Sequence, residues 1–244
     1  MSENIKEKTT KAFRVDLDSR ENQSILKPIA RYSFNNQAYQ VDEAPEKIAK
    51  KIYELIKDAK HSNDGIVLNH IKIKEAFFSP FKPQLKSAQV FLSHLHADKN
   101  EALEVKGYLE SKTNHKVFVD SLFWDYKDDV LNKLAEYDDT SRIKDAFTLI
   151  LRESLQDMIE KCPYFVFLQS KNSVSLNQGL SRNQDLLKIT YSAWIYEELK
   201  IAHSTSESRP IPMMESMQVF HDISLFLESF ETITLKKLSQ QINS

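Results

Sequence analysis

Three short, wholly apolar runs, each trailed by a segment of helical periodicity, predict an α/β protein built on an open, doubly wound parallel sheet of the flavodoxin-like type. The runs are Gln89-Val90-Phe91-Leu92-Ser93, Lys116-Val117-Phe118-Val119-Asp120 and Tyr164-Phe165-Val166-Phe167-Leu168. Strands this apolar throughout are buried on both faces, as parallel strands covered by helices are. Right-handed crossovers between them give the doubly wound arrangement.

Taken in order, residues 1–28 are polar and read as irregular, with a mobile terminus. Over 43–60, Ile48, Ile52, Leu55, Ile56 and Ala59 recur at helical spacing, with Pro45 suited to the first turn. Asp64-Gly65 marks a turn, and a strand is expected over 66–73. Two prolines in Ser79-Pro80-Phe81-Lys82-Pro83 interrupt regular structure and set a boundary. Residues 1–85 are therefore expected to form an N-terminal extension, partly disordered, whose single amphipathic helix docks on the core or on a second copy. Residues 86–244 form the main domain.

Within that domain a helix is predicted over 98–111, with Ala102, Val105 and Leu109 on one face. The stretch 121–141 is polar, with a short helix near 128–136. A strong amphipathic helix spans 142–161, with Ile143, Phe147, Ile150, Leu151, Leu155 and Met158 on one side. The Ser/Asn/Gln-rich segment 170–192 reads as an exposed loop. A helix over 194–203, an edge strand over 210–214 and a closing helix over 219–242 complete the chain.

Composition removes several chemistries. Glycine occurs 3 times, at Gly65, Gly107 and Gly179, so no Gly-rich phosphate-cradling loop exists. The single cysteine, Cys162, excludes an intrachain disulfide and a thiolate zinc cluster. Lys+Arg 33 against Asp+Glu 35 gives net charge −2, with no basic excess for a nucleic-acid backbone. Met1 to Lys8 has no apolar signal core, and no apolar stretch reaches the roughly 20 residues of a membrane span. The expected setting is the cytoplasm, with neither nucleic acid nor membrane as partner.

In a doubly wound sheet, ligands bind beyond the carboxyl ends of the strands. That rule singles out Ser93-His94-Leu95-His96, the segment 120–125, Gln169-Ser170 and the helix start at Trp194. Trp194 and Glu198 are four residues apart, so on a helix they share a face, while Glu197 is turned away. An indole beside one carboxylate suits a nucleotide: the ring stacks on a base or sugar and the acid grips ribose hydroxyls. Against this, a helix glutamate is most often a solvated surface residue and a lone tryptophan is most often core. His94-Leu95-His96 has the spacing of two metal ligands on an extended chain, but no third ligand stands near it, and no metal is expected. Asp125, Asp128 and Asp129 lack the frame of a calcium loop and read as a solvated acidic loop.

Four blocks together resemble the Toll/interleukin-1 receptor (TIR) domain family, most closely its bacterial members. Val90-Phe91-Leu92-Ser93-His94 followed by Asp98-Lys99 is similar to the family's first strand and the opening of its first helix. Lys116 to Asp120 is similar to its second strand, Phe165-Val166-Phe167-Leu168-Gln169-Ser170 to its third, and Trp194-Ile195-Tyr196-Glu197-Glu198-Leu199 to its Trp-x-x-x-Glu-Leu helix. The blocks occur in family order across about 86–214. The resemblance implies an enzyme that cleaves NAD at the nicotinamide–ribose bond, as a hydrolase or an ADP-ribose cyclase, in antiphage defence signalling. It implies Glu198 as the catalytic residue, with Trp194 near the bound nucleotide and Ser93, His94, Asp120 and Trp124 around the nicotinamide ribose. NAD enters as substrate, so no cofactor is expected. Homo-oligomerisation on activation and a downstream effector protein are the partners it implies. The chain departs from receptor-type members in lacking Gly and Pro after Asp120, in its long 171–192 insertion, and in residues 1–85, which match nothing in the family.

One carboxylate is enough for that chemistry. Glycoside hydrolysis uses two, because a poor leaving oxygen must be protonated. Nicotinamide instead leaves as a neutral molecule from a cationic precursor, so what remains is to stabilise an oxocarbenium-like ribose and to place the acceptor. Two other functions fit the residues less fully: a non-catalytic TIR interaction module, and a nucleoside deoxyribosyltransferase-like enzyme that also sets a glutamate on an N-glycosidic bond.

Overall fold

The computed structural model describes residues 10–26, 44–58, 60–62, 65–67, 69–137, 141–177, 187–206 and 221–243. In chain order these form β1 (Lys11–Asp16), α1 (Arg20–Ile25), α2 (Pro45–Lys57), β2 (Lys60–Ser62), β3 (Gly65–Val67), α3 (His70–Phe78) and α4 (Lys82–Ser87). There follow β4 (Ala88–Ser93), α5 (Lys99–Lys112), β5 (Lys116–Val119), α6 (Asp120–Leu134), α7 (Ser141–Lys161) and β6 (Tyr164–Gln169). The last are β7 (Ser175–Asn177), β8 (Leu187–Thr190), α8 (Ala193–Ser206), β9 (His221–Asp222), α9 (Ser224–Ser229), β10 (Glu231–Thr232) and α10 (Leu235–Gln241).

The fold class is the expected one. A five-stranded sheet in the order β10-β1-β6-β4-β5, parallel throughout, is flanked by helices, consistent with a flavodoxin-like doubly wound fold. The three apolar runs supply β4, β5 and β6, and they lie in the flavodoxin order 2-1-3. Their inner positions carry a row of aromatic rings: Phe91 is paired in register with Phe118 on one side and Phe165 on the other. The rings stack at 5.7 Å (27°) and 5.8 Å (10°).

The chain passes between two compact units after residues 29, 87, 119 and 157, rather than once near residue 85. One compact unit holds residues 1–29, 88–119 and 158–244; the other holds 30–87 and 120–157. The N-terminal segment enters the first unit as β1, which takes the fourth place in the sheet beside β6. The cause is a period-two pattern: Phe13, Val15 and Leu17 alternate and are all buried. Asn22 then ties this segment to the end of the chain, its Nδ2 donating to Asp16 O (2.7 Å) and its Oδ1 accepting from Leu235 N (2.9 Å). The closing helix expected over 219–242 is broken for the same reason. Glu231 and Thr232 extend to pair with Phe13 and Arg14, and Thr234 caps a new helix, α10, by accepting from Lys237 N.

Other expectations change as well. The strand expected over 66–73 is only β3, because Asn69 accepts from Lys72 N and starts α3 instead. The prolines at 80 and 83 do not break the chain; they fall in first turns, of a 3-10 helix (Ser79–Phe81) and of α4, where a missing N–H costs nothing. The stretch 121–141 begins with one continuous helix, α6, which carries Asp125, Asp128 and Asp129 on a helix rather than a loop. The expected loop 170–192 contains β7 and β8, which join β9 in a small antiparallel sheet, with Ser170, Ser173, Ile189 and Thr190 buried. The expected edge strand over 210–214 lies outside the described residues.

In the second unit α2 packs on α6 and α3, with Ile48, Ala49, Ile52 and Ile56 buried as its periodicity requires. The unit's core is aromatic: Phe77 meets Phe123 edge-on at 5.6 Å and Phe147 at 5.8 Å, and Phe81 meets Tyr126 at 5.2 Å. Among the described residues, no helix is long and apolar enough to cross a membrane.

In the first unit, Lys106 fastens α5 to β5. Its Nζ donates to Val117 O (2.7 Å) and to Glu110 Oε1 (2.6 Å), while Glu110 also accepts from Val117 N. Burial depresses the Lys106 amine below 10.5, more than the Glu110 carboxylate restores. The unfolded chain therefore binds the extra proton between that depressed value and 10.5, so stability gains a rising component with pH in this window. Denaturant midpoints across the alkaline range should show this rise in the wild type and lose it in Lys106→Met. Identical slopes in the two proteins would contradict the assignment.

Candidate functional site

The candidate site forms at the carboxyl ends of β4 and β6, where Ser93 and Ser170 follow the apolar runs, and takes its acid from α8. Helix α8 starts where the sequence dictates: Ser192 accepts from Ile195 N (3.3 Å) as an N-cap, which sets the rotation of the helix. Glu198 is thereby turned inward and is 1% exposed, while Trp194, one turn earlier on the same face, is half-buried. Ser93 is fully buried and its Oγ donates to Glu198 Oε2 at 2.5 Å. Two residues singled out from sequence, 105 positions apart, are thus in direct contact.

Burying a carboxylate is costly unless hydrogen bonds compensate, so the Ser93 hydroxyl is a structural requirement of Glu198 as well as a neighbour. Ser93→Ala should lower stability by about 1–3 kcal/mol, the range for removing a donor from a buried charged partner. Urea denaturation measures this, and a loss below about 0.5 kcal/mol would show that the contact holds nothing.

His94 is buried, 3% exposed, whereas His96 is exposed and opens a 3-10 turn (His96–Asp98). The two imidazoles therefore do not share a side, and the spacing that suggested a ligand pair is undone by that turn. Among the described residues no group of three or more His, Cys, Asp or Glu is placed to hold a metal.

Sequence reasoning missed the polar cluster beside this pair. Asp98 stands at the N-cap of α5 yet makes no side-chain cap bond to its own helix. Its carboxylate, 4% exposed, instead accepts from Ser170 Oγ (2.5 Å) and Asn172 Nδ2 (2.8 Å). Ser170 Oγ in turn accepts from the backbone N–H groups of Asn172 and Ser173, each at 3.1 Å, and Ser173 Oγ accepts from Ser170 N (2.9 Å). The signals were present as Asp98 five residues after Ser93 and as Ser170 ending a strand; their pairing across the sheet was not visible. Gln169 Oε1, at the same edge, is buried with no hydrogen-bond partner among the described residues.

Further along α8, Tyr196 stacks on His221 at 4.6 Å and 23°. Burial, with the charge of Glu197, raises its hydroxyl above 10.0. Asp120 and Trp124 belong to the second unit, on α6. Asp120 is buried and its Oδ1 accepts from Ser121 N (2.7 Å), and Trp124 is half-buried against Phe123, with Lys127 Nζ 5.7 Å from its ring.

What the first unit's arrangement can do chemically follows from these contacts. It holds one carboxylate in a fixed orientation, shielded from water, at the edge of the sheet where ligands of this fold class bind. Comparison with protein-family models, with curated proteins and with solved structures gives no match.

Proposed function

We propose that this chain is a TIR-type enzyme that cleaves the nicotinamide–ribose bond of NAD. The observation that carries the reading is the inward-turned Glu198, bonded to Ser93 at the carboxyl end of an interior parallel strand. The ordered blocks that resemble bacterial TIR domains support it from the sequence side.

In this reading the ribose carbon–nitrogen bond breaks, its electron pair leaves with nicotinamide, and positive charge spreads over the ribose. Glu198 hydrogen-bonds the ribose hydroxyls and sets negative charge beside that cation, an effect strongest where water is excluded. Water, or in a cyclase a hydroxyl elsewhere on the bound ADP-ribosyl group, adds to the carbon and passes its proton to solvent. Ser93 fixes the carboxylate, and His94 and Trp194 border the nicotinamide ribose. A glutamate 1% exposed meets substrate only once the side chains over it part, which fits activation by self-assembly. An ADP-ribose signal passed to an effector protein in antiphage defence is the setting this reading carries, in the cytoplasm.

Purified protein, dilute and concentrated enough to assemble, incubated with NAD and with a panel of nucleosides, separates the readings. Nicotinamide release from NAD alone is expected. Cleavage of nucleosides with NAD left intact would favour a deoxyribosyltransferase-like enzyme, and silence in all arms would favour a non-catalytic interaction module.

A further inference from the structure

We infer that Asp98 is a positioning residue for the proposed reaction: its buried carboxylate locks the turn after β6 to the loop after β4 and so fixes the wall of the site that Ser93 and His94 begin. The inference rests on the reading of Glu198 as the acid that meets NAD. It is carried by where Asp98 places its hydrogen bonds.

An aspartate at a helix N-cap ordinarily accepts from the N–H groups of its own first turn. Asp98 does not. Both oxygens turn to another segment 72 and 74 residues away, one to Ser170 Oγ and one to Asn172 Nδ2. The receiving turn is built for this. Ser170 Oγ donates its one proton to Asp98 and accepts two backbone N–H groups, so its hydroxyl has a single orientation. Ser173 closes the turn by accepting from Ser170 N and donating to Ser170 O. The same turn is held from its other side by Asp18 beyond β1, whose Oδ2 accepts from Lys171 N at 2.7 Å. Ser93, the last residue of β4, is paired in register with Phe167 of β6, three residues before Ser170, so the locked turn begins just past the strand that neighbours the Ser93–Glu198 contact.

A charge-assisted network of this kind fixes two loops relative to each other, and its loss loosens both without touching the strands. Asp98→Asn keeps the volume and removes the charge. Ser170→Ala removes one bond and leaves the rest, in case the first variant does not fold. Ser170→Thr keeps the hydroxyl.

Hydrogen exchange read by mass spectrometry, with nicotinamide release assayed on the same samples, tests the inference. Asp98→Asn and Ser170→Ala should speed exchange about tenfold in peptides covering 94–98 and 170–174, with β4 and β6 unchanged. KM for NAD should rise about tenfold with kcat within threefold, and Ser170→Thr should restore both. A merely structural role would instead lower kcat in step with the folded fraction and leave KM unchanged. Unaltered exchange in those two segments, or a fall in kcat alone, would overturn the inference. If the wild type releases no nicotinamide, the reading of the function fails, and the exchange result still decides the role of Asp98.

Discussion

If the proposed NAD cleavage holds, Glu198→Gln should lower kcat for nicotinamide release by about a thousandfold or more while the protein remains folded. In the proposed mechanism that magnitude reflects the loss of the preorganised charge that would face the developing ribose cation, shielded from water. The fold survives because the substituted amide keeps an oxygen that accepts from Ser93 Oγ, so the buried contact is kept in neutral form. Its stability should lie within about 2 kcal/mol of wild type by urea denaturation. Turnover within tenfold of wild type would show that Glu198 is a structural acid held by Ser93, and its assignment as the catalytic residue would fall.

Phe91→Ala is the largest expected loss of stability. Phe91 lies fully buried on the interior strand β4, its ring stacked between Phe118 of β5 and Phe165 of β6, the two neighbouring strands. Removing it takes away the transfer free energy of a whole ring and leaves a cavity whose walls are held apart by the paired strands. The cost should be about 3–5 kcal/mol, measured as the change in unfolding free energy. A loss under about 1 kcal/mol would mean that the ring row does not organise the sheet.

These two residues also mark what the sequence made legible. Phe91 sits in an apolar run whose length and flanks announce a buried strand, and β4, β5 and β6 follow from such runs. Helices α2, α5, α7 and α8 likewise follow from periodicity, because their apolar positions repeat on one face. What stayed hidden depends on partners far along the chain. β1 shows its alternation in Phe13, Val15 and Leu17, yet nothing local tells that β6 receives it. β10 is two residues long and exists only because β1 offers an edge.

The same distinction holds at the site. Glu198 and Trp194 share a helix face by spacing alone, and Ser93 lies at a strand end by the same reasoning. The contact between Ser93 and Glu198, and the bonds from Ser170 and Asn172 to Asp98, join segments more than seventy residues apart and are set by the sheet. The alternating spacing of His94 and His96 does not carry over to the structure, because a 3-10 turn opens at His96.

The most direct test is a crystal structure of Glu198→Gln soaked with NAD, since the variant should bind without cleaving. The account expects the nicotinamide ribose within hydrogen-bonding distance of the side chain at position 198, at the carboxyl ends of β4 and β6. NAD bound elsewhere, or a position 198 still sealed against Ser93 with no ligand in reach, would contradict it.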